Sequence, residues 1–94
     1  MANLLEPTSI GQKLKRLPEW EQVENRIERV FEFDDFMAGI DFVNAVAEVA
    51  EDAWHHPDIT INYTLVTVSL TSHDKGGLTD SDFEVATRVD RLMD

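Results

Sequence analysis

Three histidines carry the acid–base chemistry this chain can do. His55 and His56 are adjacent and precede Pro57, and His73 follows at the end of a β-patterned run. Imidazole changes charge near neutral pH and is the side chain most used for general acid–base catalysis. Acidic residues flank all three: Glu51 upstream of the pair, Asp74 directly after His73, and Asp82 beyond the Gly76-Gly77 turn. One alternative is a metal, since three histidines with Glu51 or Asp74 offer enough ligands for zinc. Adjacent histidines are an awkward bite for one tetrahedral ion, and the chain has no cysteine. We therefore expect no bound metal. Trp20 and Trp54 read as packing residues by default, although an aromatic near a site can stack on a flat ring.

Composition narrows the partners. Ninety-four residues allow one domain with one modest core. Nineteen acidic against eight basic residues give a formal charge of -11. That charge repels nucleic-acid phosphates and anionic membrane surfaces, so neither is an expected partner. The opening Met-Ala-Asn-Leu-Leu-Glu-Pro lacks the basic region and apolar run of a signal peptide. No apolar stretch approaches a membrane span. The expectation is a soluble cytoplasmic protein.

The elements that must position the histidines follow from periodicity. Residues 1–7 read as a flexible N-terminal arm, and residues 8–94 as the domain. Thr8 or Ser9 can cap a first helix running to about Leu17, with Ile10, Leu14 and Leu17 on one side and Pro18 as its stop. Trp20 to Val23 is a short strand, Asn25 a turn, and Ile27 to Phe33 an alternating strand with Ile27, Phe31 and Phe33 on one face. Asp34 or Asp35 caps a helix from about Phe36 to Trp54. Its expected core stripe is Phe36, Ile40, Val43, Ala47 and Ala50, with a second stripe of Phe42, Val46, Val49 and Ala53 beside it. So wide an apolar arc fits deep burial within one chain, or a flank that meets another subunit. On this basis we expect at least a dimer.

Pro57 ends the helical region. Ile59 to Tyr63 and Val66 to Leu70 alternate as two strands joined by a tight turn near Tyr63-Thr64. Thr79-Asp80-Ser81-Asp82 resembles a capping box with Asp in the place of the usual Glu, so Asp82 reads first as a helix cap. The last helix runs to the end, with Val85, Ala86, Val89, Leu92 and Met93 inward. The order is α-β-β-α-β-β-α, which suggests an α+β domain: a four-stranded antiparallel sheet with helices packed on one face. Strands adjacent in sequence usually pair. Pairing brings the end of one near the start of the other, so His73 can approach His55 and His56. Pro57 restricts His56 to an extended backbone and so fixes the corner between helix and strand.

These residues resemble a known family. His55-His56-Pro57, Tyr63, the Val66-x-Val68-x-Leu70 run, Thr71-Ser72-His73 and Gly76-Gly77-Leu78-Thr79 are similar to pterin-4a-carbinolamine dehydratases. Leu17-Pro18-x-Trp20 and the Phe31-x-Phe33-x-x-Phe36 region also match, so the resemblance covers nearly the whole chain from about Leu14. It implies the same α+β fold and an assembly of two or four subunits. It also implies an activity: dehydration of 4a-hydroxytetrahydropterin to quinonoid dihydropterin in pterin recycling after aromatic amino acid hydroxylation. The resemblance places the site histidines at His55, His56 and His73, the acidic site residues at Glu51 and Asp82, and the site tryptophan at Trp20. Pro57 and Asp74 complete the expected substrate-binding set. The chain departs from the family pattern at Trp54, where a polar residue, often Asp or Asn, is expected. It also reverses the usual Ser-Thr order at Thr71-Ser72.

The chemistry fits the residues independently. Losing water from a carbinolamine needs a proton for the departing hydroxyl and removal of one from a ring nitrogen. Imidazoles can do both, each supplying roughly 10²–10⁴-fold, with no cofactor. We expect His56 and His73 to flank the bound ring as the acid–base pair, and His55 to orient or bind, because Trp54 offers it no charged partner. The competing class is a non-enzymatic dimerisation cofactor or assembly chaperone on the same fold.

Overall fold

The computed structural model describes residues 3–94. Residues 1 and 2 of the expected arm lie outside the described residues. The elements are α1 (Pro7–Leu14), β1 (Glu21–Val23), β2 (Arg26–Glu32), α2 (Phe36–Ala53), β3 (Asp58–Asn62), β4 (Leu65–Leu70), a 3₁₀ turn (His73–Lys75) and α3 (Asp80–Arg91). The α+β architecture and its order are those expected from the sequence. The sheet is antiparallel in the order β1-β2-β4-β3, so β4, which leads to His73, is central. Both hairpins close with two-residue turns. Each places a non-glycine residue in the left-handed region, Glu24 at φ 56° and Tyr63 at φ 53°.

Alternation decides which sheet face is covered. Ile27, Phe31, Val66, Val68 and Leu70 are all buried, and they share one face through the pairs Ile27↔Leu70 and Phe31↔Val66. Val30, on the opposite face, is exposed. On that open face Arg26 pairs with Asp58 and donates to Ser69 Oγ at 2.7 Å, tying β2 to the start of β3.

The helices differ from expectation in detail. Helix α1 begins at Pro7 rather than after Thr8 or Ser9, because Pro suits the first turn, where its missing N–H is not needed. It ends at Leu14, and a tight turn closed by Arg16 and Leu17 N–H groups carries the chain to Pro18. Before it, the Leu5 N–H donates to Leu78 O at 2.9 Å. Asp35 caps α2 through the Ala38 N–H at 2.8 Å.

The largest correction concerns α2. Its buried stripe is Gly39, Phe42, Val46 and Ala50, with Val49 and Ala53 packed beside them. Only Ala50 of the expected core stripe is fully buried, and Phe36 and Ala47 are exposed. An apolar arc this wide contains two stripes that hydropathy ranks almost equally. Close approach decides between them. A Cβ at Gly39 would sit 3.3 Å from Val66 Cγ2, so the glycine side is where the helix comes nearest the sheet. Phe42 then packs on Phe31 and Phe33, with ring centroids 4.6 and 5.1 Å away.

Helix α3 buries Phe83, Val85, Ala86 and Val89. Leu92 and Met93, expected inward, lie past its end and are exposed. Among the described residues, no helix is long and apolar enough to cross a membrane.

Candidate active site

Helix α2 ends at Trp54, which takes the left-handed conformation, and the Trp54 and His55 N–H groups bond back to Ala50 and Glu51 carbonyls. Pro57 then starts the extended segment, and β3 begins at Asp58. The pairs Asp58↔Ser69 and Ile59↔Val68 set the register. Continued backwards, that register brings His56 level with Thr71 and His55 level with Ser72. His73 does not end β4 as expected. The strand stops at Leu70, Ser72 bridges to Gly77, and His73 opens a 3₁₀ turn closed by Gly76 at φ 76°. A left-handed residue is needed there, which is what Gly supplies.

The centre of the site is Asp82. It is fully buried, at the third position of α3. Its Oδ2 accepts from the Thr79 N–H at 2.9 Å, which is the capping box read in the sequence, and from Ser72 Oγ at 2.9 Å. Its Oδ1 lies 2.6 Å from His55 Nε2. An ionised carboxylate can only accept, so Nε2 carries the hydrogen and donates. The hydroxyl order is then determined as well. Ser72 spends its one hydrogen on Asp82, so Thr79 Oγ1 donates to Ser72 Oγ at 2.8 Å, while accepting from the Ser81 N–H. Among the described residues no buried side-chain nitrogen or oxygen lacks a hydrogen-bond partner, and the network engages His55 through Nε2 alone. Asp82 is thus helix cap and histidine partner at once.

His56 takes the other acid. Its Nε2 lies 2.6 Å from Glu51 Oε2, and both side chains are substantially exposed. The Trp54 ring stands edge-on to the His56 ring, with centroids 5.1 Å apart. The adjacent histidines therefore turn to different carboxylates. Among the described residues, no group of three His, Asp or Glu side chains is arranged to hold a metal ion.

The expected site residues fall into two groups. His55 with Asp82, and His56 with Glu51, are brought together around Pro57, and His73 follows Ser72 of the same network. The reason given for a lesser role of His55 is corrected, because Asp82 supplies the charged partner that Trp54 does not. Asp74 is exposed in the 3₁₀ turn, and no hydrogen bond among the described residues joins it to a histidine. Trp20 lies in the core. Its indole N–H donates to Asp90 Oδ1 at 2.7 Å, and the same oxygen pairs with Arg29. Asp90 is eight residues along α3 from Asp82, about 12 Å at the helical rise. Trp20 is thus buried with its indole N–H committed to Asp90, and no hydrogen bond among the described residues joins it to a histidine. The sequence reading missed Ser72 and Thr79 as site residues. Thr79 was visible as a cap, whereas the tie from Ser72 to Asp82 is tertiary.

A cavity of about 260 Å³ lies elsewhere, between α1 and α3, lined by Lys13, Arg16, Leu17, Asp80, Phe83, Glu84 and Thr87. No histidine borders it, and its Lys13–Asp80 ion pair is exposed. The histidines instead lie around the corner between α2 and β3, with His55 partly buried and His56 and His73 exposed.

The sequence profile of the family described as "Pterin 4 alpha carbinolamine dehydratase" matches residues 3–92. This chain belongs to that family. A protein of Picosynechococcus sp., provisionally named a pterin-4-alpha-carbinolamine dehydratase, is 52% identical over 92 residues, covering 98% of this chain and 100% of the relative. A Haloarcula marismortui protein of the same provisional name is 44% identical over 94 residues and spans both chains fully. Among solved structures, a Brucella melitensis transcriptional coactivator/pterin dehydratase superposes with a TM-score of 0.91 at 30% identity, covering 96% of this chain and 98% of its own. A pterin dehydratase-like protein identified as a RuBisCO assembly factor in the alpha-carboxysome matches with a TM-score of 0.66 at 26% identity, over 79% of this chain and 88% of its own. The pterin dehydratase fold therefore occurs in proteins described in more than one role.

The two acid–histidine pairs differ in what they do for the fold. Asp82→Ala removes a cap and strands buried donors, so it should cost about 2–4 kcal/mol in urea denaturation. Glu51→Ala breaks an exposed pair and should cost about 1 kcal/mol or less. Equal losses would contradict the central position of Asp82.

Proposed function

We propose that this protein is a hydro-lyase that removes water from 4a-hydroxytetrahydropterin to give quinonoid dihydropterin. The observation that carries this reading is the His55–Asp82 pair. A buried carboxylate that fixes Nε2–H leaves Nδ1 as a ready proton acceptor, the same logic that orients histidine in hydrolytic triads. His55 then accepts the N5 proton of the substrate, which departs from the lesser role expected for it. His73 or His56 donates a proton to the 4a-hydroxyl. The N5–H electrons form the new C=N bond as the C4a–O bond breaks, and the hydroxyl leaves as water. The site histidine protonated by N5 and the one that gave up its proton re-equilibrate with solvent, so no net charge accumulates. The step needs neither metal nor organic cofactor. Membership of the family supports the substrate class.

His55→Ala and Asp82→Asn should each lower kcat by roughly 10-fold or more, toward the range for losing an acid–base group. His73→Ala should also fall at least several-fold, and Glu51→Gln least. The measurement is carbinolamine decay followed by absorbance. A wild-type protein that leaves the buffer rate unchanged would refute the dehydratase reading. Full turnover in His55→Ala would refute the assignment of the base.

A second reading, an assembly or dimerisation role, is favoured by the surface of α2. Phe36 and Met37, adjacent at the start of α2, remain 44% and 61% exposed. Exposed apolar patches of this kind mark interaction surfaces. We assign them to contact with a second copy of this chain, giving at least a dimer. Sedimentation should give a dimer or tetramer at tens of micromolar, and Met37→Glu should lower the mass. A monomeric wild type would contradict it.

A further inference from the structure

Trp54 is placed where neither backbone preference nor core packing explains it. It closes α2 at φ 51°, ψ 44°, a left-handed conformation that favours Gly or Asn and is strained for a residue with a Cβ. The residue is 77% exposed and lies outside the hydrophobic core. Yet its ring meets one site residue, standing at 82° to His56 with centroids 5.1 Å apart. His56 is also paired with Glu51. A large aromatic is thus kept in a costly conformation, in solvent, against a histidine of the site.

Neither the other tryptophan nor the tyrosine serves the site in this way. Trp20 is buried with its indole N–H on Asp90, and Tyr63 lies at the far end of β3 from the histidines. An open site that binds a heterocycle needs a surface to hold the ring's face while imidazoles work on its edge. An exposed indole is the best side chain for that, because its electron-rich face stacks on flat heterocycles.

We propose that Trp54 is a specificity-determining residue: its free indole face is the stacking platform for the flat pyrimidinone half of the pterin, beside His56. The proposal rests on the pterin reading above. It assigns Trp54 to binding rather than to proton transfer, so its loss acts on KM and leaves kcat nearly intact.

The test uses Trp54→Asn, which suits the left-handed backbone, and Trp54→Phe, which keeps an aromatic face. Calorimetric titration with 7,8-dihydrobiopterin measures binding, steady-state dehydration gives KM and kcat, and thermal melting reports the fold. Trp54→Asn should melt a few degrees higher, because strain is relieved. It should bind the dihydropterin about 10-fold more weakly and raise KM in step, as loss of a base-stacking aromatic does. Trp54→Phe should retain most of the affinity. Unchanged binding in Trp54→Asn overturns the proposal, and so does a fall in kcat with binding intact, which would make Trp54 only a prop for His56. If the wild type does not accelerate dehydration, the enzymatic reading fails separately and binding alone decides. A roughly 10-fold loss of dihydropterin affinity in Trp54→Asn still supports the platform, and no binding to the wild type overturns it.

Discussion

A buried carboxylate is the constraint from which the rest of the site follows. An isolated charge removed from water costs many kcal/mol unless hydrogen bonds replace the lost solvation. Asp82 is fully buried, so its two oxygens must find donors. They find three: the Thr79 N–H, the Ser72 hydroxyl and His55 Nε2–H. Each comes from a different part of the chain. Thr79 opens α3, Ser72 precedes the 3₁₀ turn that carries His73, and His55 follows the last turn of α2. One side chain therefore joins the end of α2, the segment that leads to His73 and the start of α3. Removing any donor leaves a buried charge short of partners, which links the stability of the domain to the geometry of the site.

The second pair works on different terms. His56 and Glu51 meet at the same 2.6 Å, but on the surface, where water and side-chain entropy take back most of what the contact gives. Such a pair aligns an imidazole without committing the fold to it. The candidate site thus combines one histidine held by a buried acid with another held by an exposed one. Its position at the corner between α2 and β3, rather than in the cavity between α1 and α3, follows from the elements that Pro57 and the Trp54 cap bring together.

Much of this was legible in the sequence, and the physical nature of each signal explains why. The capping box at Thr79–Asp82 is local, so four consecutive residues reveal it. The Ile59–Leu70 hairpin is local too, and its pairing predicts that His73 returns toward the histidine pair. The choice of buried stripe on α2 was not legible. Two apolar stripes compete there, and the decision rests on how closely Gly39 lets the helix approach Val66. The partner of His55 was equally hidden, because Asp82 lies 27 residues away and is reached only by packing α3 beneath the loop. The partner of Trp20 was hidden in the same way, because its indole N–H reaches Asp90 across 70 residues.

The central claim is that Asp82 holds His55 as the Nε2–H tautomer with Nδ1 free. Nitrogen-15 NMR of the histidine side chains reads this directly. The account predicts one imidazole, assigned by its loss in His55→Ala, in the Nε2–H form with a slowly exchanging, strongly downfield Nε2 proton. That proton signal should disappear in Asp82→Asn. An Nδ1–H tautomer at His55, or a signal indifferent to Asp82→Asn, would contradict it.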